Sequence, residues 1–182
     1  MFLRRIMKDT SINSNSTPGY FYDSITDITP EDIKKMGGKA VGIDLDNTTV
    51  YDSTLQLFKG VKKWLSDVHK AGLPVIIVTN TYGIRAKLIA KKMGNLPCIY
   101  DANKPEKACF EKACEMAGGV KMNEFVMIGD QLFTDIQGAN NAGAVSVRVR
   151  YKAREVVFFP YFISIRKKEK LYLENKGLGD KI

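Results

Sequence analysis

Five short apolar runs spread over residues 40–149 constrain this chain more than any other feature. They are Ala40-Val41-Gly42-Ile43, Pro74–Val78, Pro97-Cys98-Ile99-Tyr100, Phe125-Val126-Met127-Ile128, and the alternating Val145, Val147 and Val149. Helical patterns fall between them. Val61, Trp64, Leu65 and Val68 recur at i, i+3, i+4, i+7, and Ile84, Leu88 and Ile89 mark a second helix. Pro105 opens a third, with Phe110, Ala113, Cys114 and Ala117 on its apolar side, and a short fourth lies around Ile136 and Ala139. Runs apolar on both faces, alternating with amphipathic helices, predict an α/β protein: three layers, α/β/α, with a mostly parallel five-stranded sheet. Ahead of it, Thr29-Pro30-Glu31-Asp32 reads as a capped helix start and Gly37-Gly38 as its stop, while residues 9–19 read as a polar loop. The expected organisation is a lead-in over 1–36, a core over 37–150 and a basic, aromatic extension over 151–182.

Composition removes several function classes. No apolar stretch reaches the ~18 residues that a membrane span needs, and no long apolar segment follows Arg4-Arg5 to make a secretory signal. Cys98, Cys109 and Cys114 lack CxxC spacing and read as reduced thiols of a cytoplasmic protein. His69 is the single histidine, which excludes a multi-histidine zinc site and any scheme with two catalytic histidines; its helical surroundings give it a surface role. The net charge of +8 gathers at Arg4-Arg5-Lys8, Lys91-Lys92 and Arg166–Lys170, a surface fit to attract nucleic acid, an anionic bilayer or a phosphorylated substrate, or to be simply solvated.

The residues that follow each strand carry the chemistry. The first ends in Asp44-Leu45-Asp46-Asn47-Thr48, the second in Thr79-Asn80. The third leads to Asp101 and Asn103-Lys104-Pro105, the fourth to Gly129-Asp130 and then Asp135. In strand geometry Asp44 and Asp46, separated by Leu45, share one side, and two neighbouring carboxylates repel unless a cation or a proton relieves them. In a parallel sheet all four strand ends lie on the edge where open α/β folds bind ligands. Several acids without a histidine cluster suit an oxygen-seeking cation, most simply Mg²⁺. A hydroxyl, backbone amides and a lysine suit a phosphoryl group, so the combination predicts phosphoryl chemistry on a phosphorylated substrate. A carboxylate nucleophile would form an aspartyl-phosphate, and a second acid would protonate the leaving oxygen and then activate water.

Asp44-Leu45-Asp46-Asn47-Thr48, Thr79-Asn80, Lys104-Pro105 and Gly129-Asp130-Gln131-Leu132-Phe133-Thr134-Asp135 resemble, in order, the four motifs of the haloacid dehalogenase (HAD) superfamily of phosphatases. The resemblance covers about residues 40 to 150. It implies Asp44 as nucleophile and a Mg²⁺ ligand, and Asp46 as acid–base with its backbone carbonyl on the metal. It implies Thr79 and Asn80 at the substrate phosphate, Lys104 as the charge-neutralising lysine, Asp130 as a metal ligand and Asp135 as a supporting acid. Asp27-Ile28-Thr29-Pro30, the Asp-Leu-Asp-Asn-Thr string and Gly-Asp-Gln-Leu-x-Thr-Asp resemble phrases of subfamily IIIA, the YqeG-like group related to phosphatidylglycerophosphate phosphatases. One departure is Thr49-Val50, where relatives usually carry Leu-Val.

The spacing leaves room for one loop and one helix between Asp46 and Thr79, and for one helix between Lys104 and Asp130, so no large cap domain is expected and the site should be open. An open, basic protein with an aromatic, basic C-terminal segment fits a phospholipid head group, with peripheral contact at the inner membrane face; nucleic acid is not an expected partner. The expectation is dephosphorylation of phosphatidylglycerophosphate to phosphatidylglycerol. The alternatives are a capless phosphatase acting on a protein, a nucleic-acid end or a soluble metabolite, and a HAD-fold binding module without catalysis. Residues 156–170 are the expected membrane contact, with a packed hairpin or oligomer contact as the alternative use of the apolar Phe158–Ile165 segment.

Overall fold

All five apolar runs pair in parallel, and a sixth strand joins them. The computed structural model describes residues 15–150 and 160–179. Among these residues the strands are β1 (Tyr20–Tyr22), β2 (Ala40–Ile43), β3 (Val75–Val78), β4 (Cys98–Ile99), β5 (Phe125–Gly129) and β6 (Val145–Val149). They form one sheet in the order β1-β6-β5-β2-β3-β4, with every pairing parallel. The expected five-stranded sheet is thus six-stranded. The additional β1 pairs only with β6, and its three half-buried or exposed aromatic residues have none of the continuous apolar character that marks the inner strands.

The alternation of side chains divides the core into two layers. Val41, Ile43, Val75, Ile77, Val126 and Ile128 face one side, where they pack on Trp64, Leu65 and Val68 of α2 (Val61–Lys70) and on Ala86 and Ile89 of α3 (Gly83–Lys92). Ala40, Ile76, Val78, Phe125 and Met127 face the other, against Phe110, Ala113 and Cys114 of α4 (Ala108–Met116) and Ala139 of α5 (Gln137–Ala142). The short α1 (Pro30–Lys35) starts as its sequence predicts. The Thr29 hydroxyl accepts from the Asp32 N–H at 3.1 Å, and the Asp32 carboxylate accepts from the Thr29 N–H at 3.0 Å.

Two helices depart from their sequence patterns. α3 turns Ile84 and Leu88 outward and buries Arg85 beside Ala86 and Ile89, because Arg85 is held by an acid across the sheet edge. α4 begins at Ala108, not at Pro105, which stands in the turn before it after a cis peptide bond. The tail returns to the core as α6 (Pro160–Asn175), whose Ile165, Tyr172 and Leu173 pack on Leu132, Phe133 and Ile136 of a π-helical turn after β5. Arg4, Arg5 and Lys8, residues 9–14 of the polar loop and residues 156–159 of the apolar segment lie outside the described residues. Among the described residues no helix is long and apolar enough to cross a membrane.

The sheet order also locates a crevice. From β2 the chain moves to β3 on one side, and from β5 to β6 on the other, so the neighbours β2 and β5 flank the point where the winding reverses. Parallel sheets bind ligands outside the carboxyl ends of strands at this point. Asp44 and Asp130 are the residues that follow those two strands.

Candidate active site

Asp44 extends β2 by one residue, its N–H donating to the Ile128 carbonyl at 3.0 Å. Leu45 is fully buried, and the chain then turns through Asn47 at φ 57°, with the Val50 N–H closing onto the Leu45 carbonyl at 3.0 Å. The Thr49 hydroxyl lies 3.1 Å from both the Asp44 and the Leu45 carbonyls and locks the turn from inside. This loop leaves the Asp44 carboxylate buried at the crevice.

Lys104 meets it there. Its ammonium donates to Asp44 Oδ1 at 2.7 Å, to Asp135 Oδ1 at 2.5 Å and to the Val78 carbonyl at 2.7 Å, which uses all three protons. Asn80 clasps the Lys104 backbone: its Oδ1 accepts from the Lys104 N–H at 2.8 Å and its amide donates to the Lys104 carbonyl at 3.1 Å. The Asn80 side chain therefore holds the lysine that was expected beside it at a phosphate. Thr79 is buried at the end of β3, with its hydroxyl accepting from the Thr81 N–H at 3.3 Å. Asp135 reaches the cluster by lying across Gly129, where a Cβ would stand 2.3 Å from the Asp135 carboxyl carbon. Its second oxygen accepts from the Gln131 N–H at 3.1 Å.

Burial dominates the electrostatics. It pushes the Asp44 carboxyl up to about 6 against the pull of Lys104, and Asp130 up to about 7 against the pull of Arg166. Burial raises Asp135 as well, again opposed by Lys104. Burial also works against the Lys104 ammonium, but the Asp135 and Asp44 carboxylates together outweigh it and keep its pKa raised.

Asp46 has its own set of partners, while its charge still helps to raise the Asp44 carboxyl. Arg85 forks onto the Asp46 carboxylate with bonds of 2.7 and 2.6 Å, the Thr81 hydroxyl donates to it at 2.8 Å and the Ser53 N–H at 3.1 Å. Arg85 also donates to the Thr54 carbonyl, tying α3 to the small flap between Val50 and Leu57.

Four residues of this region escape a reading of the sequence: Arg85, Arg148, Arg166 and Glu169. Arg166 is paired with Asp130, and Glu169 accepts from the Leu132 N–H at 2.6 Å and from Arg166 at 2.8 Å. Arg148 donates to the Asp130 carbonyl at 3.2 Å. A lone arginine in a lysine-rich helix carries no sequence mark of burial. The one available hint for α3 is that Gly83–Lys92 contains four cations and no acid, so an inward partner has to come from elsewhere.

Carboxylate oxygens of Asp44, Asp130 and Asp135 all lie within 4.8 Å of one another. Asp130 Oδ1 is buried and makes no hydrogen bond. A buried carboxylate oxygen without a donor is costly unless a cation satisfies it, and an all-oxygen set suits Mg²⁺. The donors present therefore fit the metal that the motifs imply.

Comparison with known proteins agrees with this geometry. The family model of haloacid dehalogenase-like hydrolases matches residues 20–143. The chain is 35% identical over 132 residues to the probable phosphatase YqeG of Bacillus subtilis, covering 72% of this chain and 76% of that one. Among solved structures, a predicted phosphoglycolate phosphatase from Haemophilus somnus superposes with a TM-score of 0.55 at 16% identity, over 66% of this chain and 89% of that one. An uncharacterized protein from Listeria monocytogenes gives 0.51 at 19% identity, over 75% and 99%. At those identities the two structures speak for the fold alone. With the parallel sheet, the strand-end cluster and the family match in agreement, this chain belongs to the haloacid dehalogenase-like hydrolases, on the branch of YqeG-like phosphatases.

Proposed function

We propose that this protein is a Mg²⁺-dependent phosphomonoester hydrolase in which Asp44 forms an aspartyl-phosphate, and that its substrate is the phospholipid phosphatidylglycerophosphate. The carrying observation is the buried cluster of Asp44, Lys104, Asp135 and Asp130 at the reversal of the sheet. An Asp44 oxygen attacks phosphorus while the bond to the ester oxygen breaks, and Asp46 gives that oxygen its proton. Asp46 then takes a proton from water, whose oxygen attacks the same phosphorus. The bond to Asp44 breaks, and inorganic phosphate leaves. Lys104 offsets the charge gathering on the phosphoryl oxygens, and the Thr79 hydroxyl donates to one of them. Asp44, Asp130 and the Asp46 carbonyl would hold the metal, which would supply further charge neutralisation when bound. Asp46 must exchange its Arg85 contact to reach the leaving group.

The lipid part rests on the surface beside the site. Ile84 is 75% exposed and Leu88 48%, and Lys87, Lys91 and Lys92 share their exposed face of α3. Tyr82 and Tyr100, both exposed, continue it toward the strand ends, Tyr100 lying against Gly83 and under Lys87. Apolar and aromatic side chains beside a helix with four cations and no acid suit an anionic bilayer. We place the membrane contact on this face of α3; of the expected segment 156–170, Ile165 and Glu169 are turned into the protein, and residues 156–159 lie outside the described residues. The test is phosphate release from phosphatidylglycerophosphate in mixed micelles, with and without Mg²⁺, beside Asp44→Asn. Metal-dependent release that vanishes in the variant is expected. Release from an aryl phosphate, a phosphopeptide or a soluble ester but not from the lipid would keep the phosphatase and discard the lipid.

A further inference from the structure

The π-helical turn that carries Asp135 is braced by the C-terminal helix, outside the stretch that the family model matches. Two side chains of α6 act there. Glu169, buried, accepts from the Leu132 N–H and from Arg166. Arg166 pairs with Asp130 Oδ2, while Asp130 Oδ1 remains buried and without a donor, in a carboxylate that has an oxygen within 4.8 Å of oxygens of Asp44 and Asp135. We propose that Arg166 is a positioning residue for the metal centre: it occupies one oxygen of Asp130 and so turns the other toward the cation. The inference rests on Asp130 being a metal ligand.

The physical argument is one of division of labour. A carboxylate in a fully buried position can rotate about its last torsion and choose among neighbouring cations. A guanidinium bonded to Oδ2 removes that freedom and leaves Oδ1 as the only unsatisfied acceptor of the group. Its own positive charge would repel an incoming cation, but Glu169 at 2.8 Å largely cancels it. The row Glu169–Arg166–Asp130 carries one net negative charge by itself, with the Arg148 guanidinium 4.0 Å from Glu169 as its next cation. Placed on a helix from the end of the chain, the device makes α6 part of the site.

The test measures metal binding to the full chain directly, by titrating metal-stripped protein with Mn²⁺ and following the free-ion electron paramagnetic resonance signal. Arg166→Gln is expected to weaken Mn²⁺ binding about 10–100-fold, the usual effect of losing such a support. Arg166→Lys, which keeps the charge but not the fork, is expected to lie between it and the unaltered protein. Lys168→Gln, exposed on the same helix, is expected to bind normally. Unchanged binding in Arg166→Gln beside loss in Asp130→Asn overturns the inference and leaves Asp130 as a ligand. Normal binding in Asp130→Asn overturns the ligand assignment itself. Tighter binding in Arg166→Gln overturns it too, since Arg166 would then compete with the ion. An equal loss in Lys168→Gln would also overturn the inference, because the weakening would then not depend on the Arg166 contact with Asp130. Should Arg166→Gln fail to fold by circular dichroism, Arg166→Lys decides: binding as tight as in the unaltered protein overturns the inference.

Discussion

Asp44 and Asp46 are separated by the single residue Leu45 but are paired with different cations. Asp44 is buried with a lysine, and Asp46 is clamped by an arginine nearer the surface. Replacing Asp44 by Asn is expected to abolish phosphate release and to weaken Mn²⁺ binding without abolishing it, because one proposed ligand is lost and Asp130 remains; normal turnover would remove Asp44 as nucleophile. Asp46→Asn is expected to slow release by ~10²–10⁴, read as accumulation of phosphorylated protein after rapid acid quench. The buried acids also fix a pH dependence. Burial holds Asp44 at about 6 and Asp130 at about 7, above the ordinary carboxylate value, so the folded metal-free protein binds these protons more tightly than the unfolded chain. Their contribution to stability is full below about pH 4 and lost as pH rises through about 7. A divalent cation reverses the sign, since it needs the ionised acids. The melting temperature of metal-stripped protein should therefore fall across this range, and the increment from added Mg²⁺ should grow across it. A metal increment independent of pH would contradict the assignment of these acids as ligands.

At the scale of elements, strands aim the chemistry and small residues permit it. Gly129 ends β5 under the Asp135 carboxylate, and an added Cβ would lie 2.3 Å from its carboxyl carbon. Gly129→Ala is expected to displace Asp135 from Lys104 and to cost about 1–3 kcal/mol by overpacking. The measurements are a denaturant melt and a Mn²⁺ titration, and both should change. α2 is anchored differently. Its Trp64 indole donates to the Ile28 carbonyl at 2.7 Å across the lead-in to α1. Trp64→Phe would leave that buried carbonyl without a donor and is expected to cost about 1–3 kcal/mol, with metal binding unchanged because the indole is remote from the acids.

Across the described residues, the strand-end edge holds the buried acids Asp44, Asp130 and Asp135, and the exposed face of α3 beside it holds Ile84, Leu88 and three lysines. If that face meets a membrane, Lys87→Glu with Lys91→Glu should release the protein from vesicles containing anionic lipid and spare hydrolysis of a soluble aryl phosphate. Sedimentation with vesicles checks the first and a colorimetric assay the second. Equal loss of both activities would mean that the face supports the fold or site and not docking.

What could be read from the chain alone was whatever depends on neighbours in sequence. The inner strands are continuous apolar runs, the Thr29–Asp32 cap is a four-residue pattern, and Asp44, Thr79, Lys104 and Asp130 each follow a strand or its turn, so topology brings them to one edge. Even there the limits were local ones: β1 carries no signal of its own because an edge strand with one partner needs little apolar content. Tertiary structure alone decided which charges are buried. Arg85 reads as one more cation on a basic helix until Asp46, 39 residues away, faces it. Arg166 reads as part of a basic tail until α6 folds back on Phe133 and Ile136 and brings it to Asp130. An ion pair across such distances leaves no periodicity in either segment. It exists because burying a carboxylate requires a counter-charge, and only the folded chain determines which one is near enough to serve.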